Sequence, residues 1–512
     1  MAWKKSTSDE LAFDRLAYFG DSLTDSDEFF NASSAVAFVG LPLTALGYAQ
    51  QFSNGDVYSD HVPGLIGVEG GEALNYAVAG AQALTDRTIA ELLPPSLIRP
   101  DATAEDLAFR VDIDGQVARF LEDEAGNDLS STAASLFIGF NDFNDFVPTS
   151  PETAFAEVLA FGAAIATETA EAATALTGAG VGTIILNTLG DPSIFPSTQF
   201  DPPELQALAT GASLAVNAGL AATAEALEAQ GVNVITVDIA AMFAEVEADF
   251  ASFNFRTLDD PVLIPDQNGD GVEEFNPAVF GVPLDQIAFF DAVHPTAALH
   301  GILAGFQSES LTSDVQIGDA AAEHLRGTRD DDLVLGAEGD DHIWLRRGDD
   351  VGLGGLGDDQ ISGGRGDDLV AGGAGDDRLG GGRGQDILTD GTGDDRTGGG
   401  RGDDLIIDSA GNDRHFGGRG NDTMVFTEAA LMGRDADDRD VFNGGWGYDT
   451  LILRVEDASS VEIAEHGNRM VIDSLGVVAR NIENIVVVEG TDLTGEAFYD
   501  DQMATADLWN FL

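Results

Sequence analysis

The chain has 512 residues, and at roughly 100–200 residues per domain it is expected to hold two or three domains with room for a sizeable buried core. Its 90 acidic side chains against 24 basic ones give a net charge of −66, which excludes a phosphate-seeking nucleic-acid binder. The absence of cysteine removes disulfide scaffolds, thiolate metal sites and cysteine nucleophiles.

The N-terminal stretch MAWKKSTSDELAFDRLAYF carries the only lysines, Lys4 and Lys5, and acidic residues follow before any apolar run. No cleavable secretory signal is expected, and no window is expected to supply the roughly 18 apolar residues of a transmembrane segment. From here to about residue 312, short β-rich apolar runs alternate with long Ala-rich stretches. LAYFG at 16–20, VGTIILNTLG at 181–190 and VNVITVDI at 232–239 predict strands. The segment 150–180 opens on Ser150 and Pro151, a good N-cap and first helical residue, and closes at Gly178, so it predicts a helix. A second helix is expected from about Pro203 to Gln230. Such alternation predicts a parallel α/β sheet with helices on both faces and a site at the carboxyl ends of its strands.

The first strand end reads FGDSLTD, Phe19 to Asp25, and three further blocks follow in order. They are NYAVAGAQ at 75–82, FIGFND at 137–142 and DAVHPT at 291–296. Taken singly, each has a structural explanation. Ser22 suits a helix N-cap, Gly80 and Asn141 suit turns, and His294 precedes a helix from Ala297 to Phe306. In this order and spacing the four blocks resemble the GDSL esterase/lipase family, the SGNH hydrolases.

That resemblance implies a three-layer αβα fold and a serine hydrolase cleaving carboxylic esters, lipid esters among them. It implies Ser22 as nucleophile, His294 as the base that takes and returns its proton, and Asp291 as the group that orients the imidazole. It also implies the Gly80 N–H and the Asn141 amide as oxyanion donors. His61 and His300 have no paired acid block, and His300 reads as a packing residue. His324, His342, His415 and His466 form no zinc-ligand pair, so no catalytic metal is expected. The loop 266–277 has Asp266, Asn268, Asp270 and Gly271 in EF-hand spacing, but Pro277 where the bidentate Glu belongs. It is compatible both with a structural calcium loop and with a metal-free acidic loop.

From Gly327 to Val425 the sequence cuts into eleven units of nine residues without slippage. Aspartate fills the sixth place of each: Asp332, Asp341, Asp350, Asp359, Asp368, Asp377, Asp386, Asp395, Asp404, Asp413 and Asp422. After an 18-residue interruption the unit GGWGYDTLI returns in phase with Asp449. The eighth place should point inward, and it is apolar at Val334, Ile343, Ile361, Val370, Leu379, Leu388, Ile406, Met424 and Leu451. Gly352, Thr397 and His415 depart from that rule, so looser coils are expected around them. The units resemble the RTX calcium-binding repeats, GGxGxDxUx, which implies an all-β parallel β-roll with Ca²⁺ held by the sixth-place aspartates and turn carbonyls. With 23 acidic and 10 basic residues over 327–425 and little core, folding of this part is expected to need calcium.

The tail carries strand-like MVIDSLGVVA and NIENIVVV and ends in ATADLWNFL. The expected organisation is a hydrolase domain at 1–312, a linker at 313–326, the roll at 327–452, and a C-terminal cap with an export signal at 453–512. The RTX resemblance implies a secreted protein that uses a type I secretion apparatus. Two other readings remain at this level: a carbohydrate acetylesterase, or a calcium-dependent adhesin with a vestigial hydrolase domain.

Overall fold

The computed structural model describes residues 13–21, 23–25, most of 57–196, 203–248, short stretches within 258–296, and 297–318, 321–427, 439–455 and 458–489. The chain divides into two units, with the main boundary between Leu311 and Thr312.

The first unit is built on a parallel sheet of five strands among the described residues: β1 (Arg15–Gly20), β2 (Leu74–Asn75), β3 (Thr132–Phe137), β4 (Thr183–Asn187) and β5 (Asn233–Val237). Their order is β2-β1-β3-β4-β5. Residues 16–19, 133–137 and 184–187 are buried almost throughout, the continuous apolar signature of strands covered on both faces. Chain order reverses at β1 and β3, and a crevice opens outside the carboxyl ends at such a switch point. Five helices concern the site: α1 (Ile113–Asp123), α2 (Phe140–Asp145), α3 (Ala154–Gly178), α4 (Pro203–Glu228) and α5 (Ala297–Thr312). Asp112 caps α1 by accepting the Gly115 N–H at 2.9 Å, which sets Phe120 edge-on to Phe19 at 5.4 Å.

Helix α3 begins one turn later than expected, with Thr153 at its N-cap. The Ser150 and Thr153 hydroxyls lie 2.8 Å apart, and Glu157 accepts the Thr149 N–H at 2.7 Å, so Thr149, Ser150 and Thr153 close the helix start from outside. Against the expectation from sequence, Leu205–Glu228 of α4 is long and apolar enough to span a membrane by length and composition. Small residues instead seat it along α3: a Cβ on Gly162 would lie 2.6 Å from the Ala212 carbonyl, and one on Gly219 would lie 2.4 Å from the Ala166 Cβ.

The second unit is a stack of parallel strands in two sheets, nine and ten strands among the described residues. Successive nine-residue units alternate between sheets, so neighbours within a sheet are 18 residues apart, as Val351 is from Leu369. Segment 313–326 is not a linker. Its strands Asp314–Ile317 and His324–Arg326 pair in register with Asp332–Leu335 and His342–Trp344, because a parallel ladder offers an unpaired edge that the preceding coil satisfies. The stack also continues past residue 452. Val477–Arg480 and Asn484–Glu489 add one strand to each sheet, and Arg469–Ile472 then turns antiparallel against the former.

All nine apolar eighth-place residues lie in one buried core. The three exceptions do not loosen it. They coincide with the only three non-glycine first places in the twelve in-phase units, Leu345, Asp390 and Asp408. Leu345 is fully buried, and its Cδ1 lies 2.8 Å from where a Cβ on Gly352 would stand, so the first place fills what the eighth leaves open.

The fourth place has positive φ in most units, which favours glycine there. At Gly402, with φ of 131°, an added Cβ would stand 1.5 Å from the Gly384 carbonyl oxygen of the coil below. Gly402→Ala is expected to cost the roll more than the roughly 1–3 kcal/mol of backbone strain alone. Circular dichroism during calcium titration should show a higher calcium midpoint for that variant, and an unchanged midpoint would contradict the packing described.

Candidate functional site

The carboxyl ends of β1 and β3 lie side by side, with Gly20 opposite Phe137. A Cβ on Gly20 would stand 2.4 Å from the Phe137 carbonyl oxygen, so only glycine lets the strands pass here. The buried Gln116 amide, from α1, accepts the Gly20 N–H at 2.9 Å and donates to the Gly20 carbonyl at 2.8 Å. This clamp sets the direction in which the chain leaves β1. Asp21 follows, fully buried, and its Oδ1 accepts the Leu23 N–H at 3.2 Å. Burial pushes the Asp21 carboxyl up to about 7, with that N–H bond and His294 opposing the rise and Asp142 adding to it. His294 and Asp142 are therefore both within electrostatic reach of the end of β1.

The remaining blocks are tied to this point by hydrogen bonds. Asp25 Oδ2 accepts the Ala79 N–H at 2.9 Å, and Asn75 donates to the Thr24 carbonyl at 2.7 Å, so the first block holds the second. Asn141, in α2, donates its amide to the Ala81 carbonyl at 3.2 Å, and Gln82 donates to the Asn141 carbonyl at 2.9 Å. Asp142 accepts the N–H groups of Ala83 at 2.8 Å and Leu84 at 3.0 Å, and burial lifts its carboxyl to about 6. His294 is half-buried just before α5. The next residues are fixed by a bridge between Pro295 and Phe289 and by the Thr296 hydroxyl donating to the Ile287 carbonyl at 2.7 Å. Gln307 of α5 donates to Asn187 at the end of β4 at 2.6 Å, tying this helix to the sheet. Of the expected site residues, Asn141 and His294 are thus brought to the switch point, while Ser22, Gly80 and Asp291 lie outside the described residues. His300 is buried in α5, as its packing role requires. Positions 266–273 of the acidic loop also lie outside the described residues.

In the second unit every expected sixth-place aspartate is buried, at 2% exposure or less. They form two rows along the turns. In one, the N–H donates to Oδ1 of the next aspartate in the row, 18 residues on within the uninterrupted units, as Asp350 does to Asp368 at 3.1 Å and Asp368 to Asp386 at 3.0 Å. In the other, Asp359 donates to Asp377, and Asp377 to Asp395, each at 2.7 Å. The second oxygen of Asp350, Asp359, Asp368, Asp377, Asp386, Asp404, Asp422 and Asp449 is buried without a hydrogen-bond partner. A Cβ on the first-place glycine of the same unit would fill the space beside it, 2.3 Å from Oδ2 at Gly381 and 2.2 Å at Gly399. Buried oxygens without donors, facing a space kept open by glycine, are what a hard, oxygen-seeking cation requires.

The family described as GDSL-like Lipase/Acylhydrolase matches residues 16–305. The chain belongs to this family. The RTX calcium-binding nonapeptide repeat matches 317–351, 353–388 and 389–424, and no curated protein matches the chain. The GDSL unit is thus an α/β ester-hydrolase domain, and the RTX unit a β-roll that binds structural calcium.

Sequence reading missed three parts of the RTX ladder. Asp440 Oδ1 accepts the Asp413 N–H at 3.1 Å across the interruption, and Glu483 Oε2 accepts the Asp449 N–H at 2.9 Å at the end of the other row. Asp440 was findable, since it fills the sixth place of the degenerate unit 435–443. Glu483 has no such phase. The fifth-place residues form an exposed ladder running the opposite way, as Asp367 N–H donates to Asp349 at 2.8 Å.

Burial raises the ladder carboxyls, to about 7 at Asp350, Asp359 and Asp386, about 8 at Asp368 and Asp404 and about 9 at Asp377. A carboxyl raised in the folded state binds protons that the unfolded chain releases, so folding without cation is favoured at low pH and lost as pH rises through these values. In chelator, the β signal of the RTX unit is expected to be larger at about pH 5 than at about pH 8, and calcium should restore it at the higher pH. Equal signals at both pH values in chelator would contradict this. In the GDSL unit, Asp21→Asn should raise the melting temperature at about pH 8, with the gain shrinking toward pH 4.

Proposed function

We propose that the GDSL unit is a serine esterase acting on carboxylic acyl esters, lipid esters in particular. Ser22 attacks the ester carbonyl as His294 takes its proton, and Asp291 orients the imidazole and stabilises its charged form. The Gly80 N–H and the Asn141 amide receive the oxyanion. The alcohol leaves with the proton returned by His294, and water then cleaves the acyl-enzyme by the same route. The observation that carries this reading is the tie between the first and second blocks beside the end of β1, where Asp25 Oδ2 accepts the Ala79 N–H at 2.9 Å, and the charge of His294 also acts on Asp21 there. The position of Asn141 beside the second block supports it.

In the RTX unit, the sixth-place aspartates from Asp332 to Asp422, with Asp440 and Asp449, would hold calcium through their carboxylate oxygens, and the ion would supply the positive charge these buried rows require. RTX repeats are typical of secreted proteins, and a roll that needs calcium fits export through a type I apparatus followed by folding outside. Hydrolysis of nitrophenyl esters of increasing acyl length, with calcium, tests the enzyme reading. Ser22→Ala should abolish turnover, and Asn141→Ala should lower kcat by about 10²–10³-fold. A steep fall with chain length would favour an acetylesterase. No turnover by a folded, calcium-loaded chain would favour the adhesin.

A further inference from the structure

Two of the three non-glycine first places and one irregular eighth place meet inside the roll. Asp390, in strand Ile387–Thr392, and Asp408, at the end of strand Leu405–Asp408, face His415 of strand Arg414–Arg419. His415 Nε2 lies 2.7 Å from Asp408 Oδ1 and 3.4 Å from Asp390 Oδ2. Together with Asp413, these residues place one ligand atom each within 4.8 Å of one another. All four are buried, and the His415 ring stacks on Phe442 at 4.8 Å. Asp390 Oδ1 accepts the N–H groups of Gly391 at 2.9 Å and Ser409 at 2.8 Å. Its Oδ2, aimed at the imidazole, has no hydrogen-bond partner at 0% exposure, and neither has His415 Nδ1.

We propose that Asp390, Asp408 and His415, with the adjoining Asp413, form an interior site for a zinc-type dication, separate in chemistry from the calcium ladder. Most of the remaining core is apolar, and a three-carboxylate cluster there is costly unless a cation offsets its charge. One imidazole nitrogen among few carboxylate oxygens suits zinc, whereas calcium takes six to eight oxygens. The cluster is closed off from solvent, so the metal enters as the coils wind, when calcium is added. Asp413 belongs to both sites, since its Oδ1 also accepts the Asp395 N–H at 2.8 Å. Zinc captured here would tie the coil carrying Asp390 to the next.

The full chain, unfolded in chelator and refolded in excess calcium with zinc and then desalted, should retain one more zinc per chain than Asp390→Gly/Asp408→Gly/His415→Leu. Each of these changes installs the residue type that other units carry at that place, and calcium-induced circular dichroism verifies that the variant folds. Equal zinc in both, or zinc removed from the unaltered chain by millimolar calcium, would overturn the site. Refolding the unaltered chain with cobalt gives a readout independent of the variant. Visible ligand-field absorption that His415→Gln weakens severalfold is expected, and a colourless chain would show a cluster held only by shared protons.

Discussion

A carboxylate taken out of water must keep a proton, find donors or meet a cation, and the C-terminal half of this protein is organised by that requirement. Asp350, Asp359, Asp368, Asp377, Asp386, Asp404, Asp422 and Asp449 each spend one oxygen on the N–H of a neighbouring coil and leave the other buried without a donor, beside a first-place glycine in every one of these units but that of Asp350. The hydrogen-bonded rows fix the 18-residue rise of the coil, and the remaining oxygens carry the unfavourable burial. RTX repeats bind calcium, and a cation at these oxygens offsets that burial.

The N-terminal unit uses buried carboxyls differently. Asp25 accepts a backbone N–H from the second block and Asp142 two from the residues just after it, so they act as pins that hold sequence-distant loops together. Asp21 has less compensation and sits where His294 can act on it. The strand order places this cluster at the switch point, and the Gln116 clamp on Gly20 fixes the exit from β1. Catalytic groups set on strand ends in this way need little rearrangement to act.

The roll interior also shows how a repeat tolerates exceptions. Where the eighth place loses its aliphatic at Gly352, Leu345 supplies the missing volume from the first place of the same unit. At Asp390 with Thr397, and at Asp408 with His415, the paired departures are polar rather than apolar, and they converge instead of being scattered along the stack. A polar cluster in so narrow a core needs every member satisfied.

Much was legible in sequence because it is periodic or block-like. The phase of the aspartates located the buried rows, the eighth places located the core, and four ordered motifs located the α/β unit. The N-terminal strands were readable from apolar runs, and α3 and α4 from their length. What sequence could not supply depends on which coils touch. Segment 313–326 lacks the repeat signature yet becomes a coil because an open ladder edge pairs with it. Glu483 ends a row because the last coil brings it 34 residues onward to Asp449, a separation no period contains. The close pass of α4 along α3 rests on one glycine from each helix, Gly219 and Gly162. Asp390, Asp408 and His415 each read as an isolated departure from a rule. Only the winding of the chain at 18 residues per coil, which sets alternate units side by side and faces the two sheets across a single side-chain layer, brings them within reach of one another.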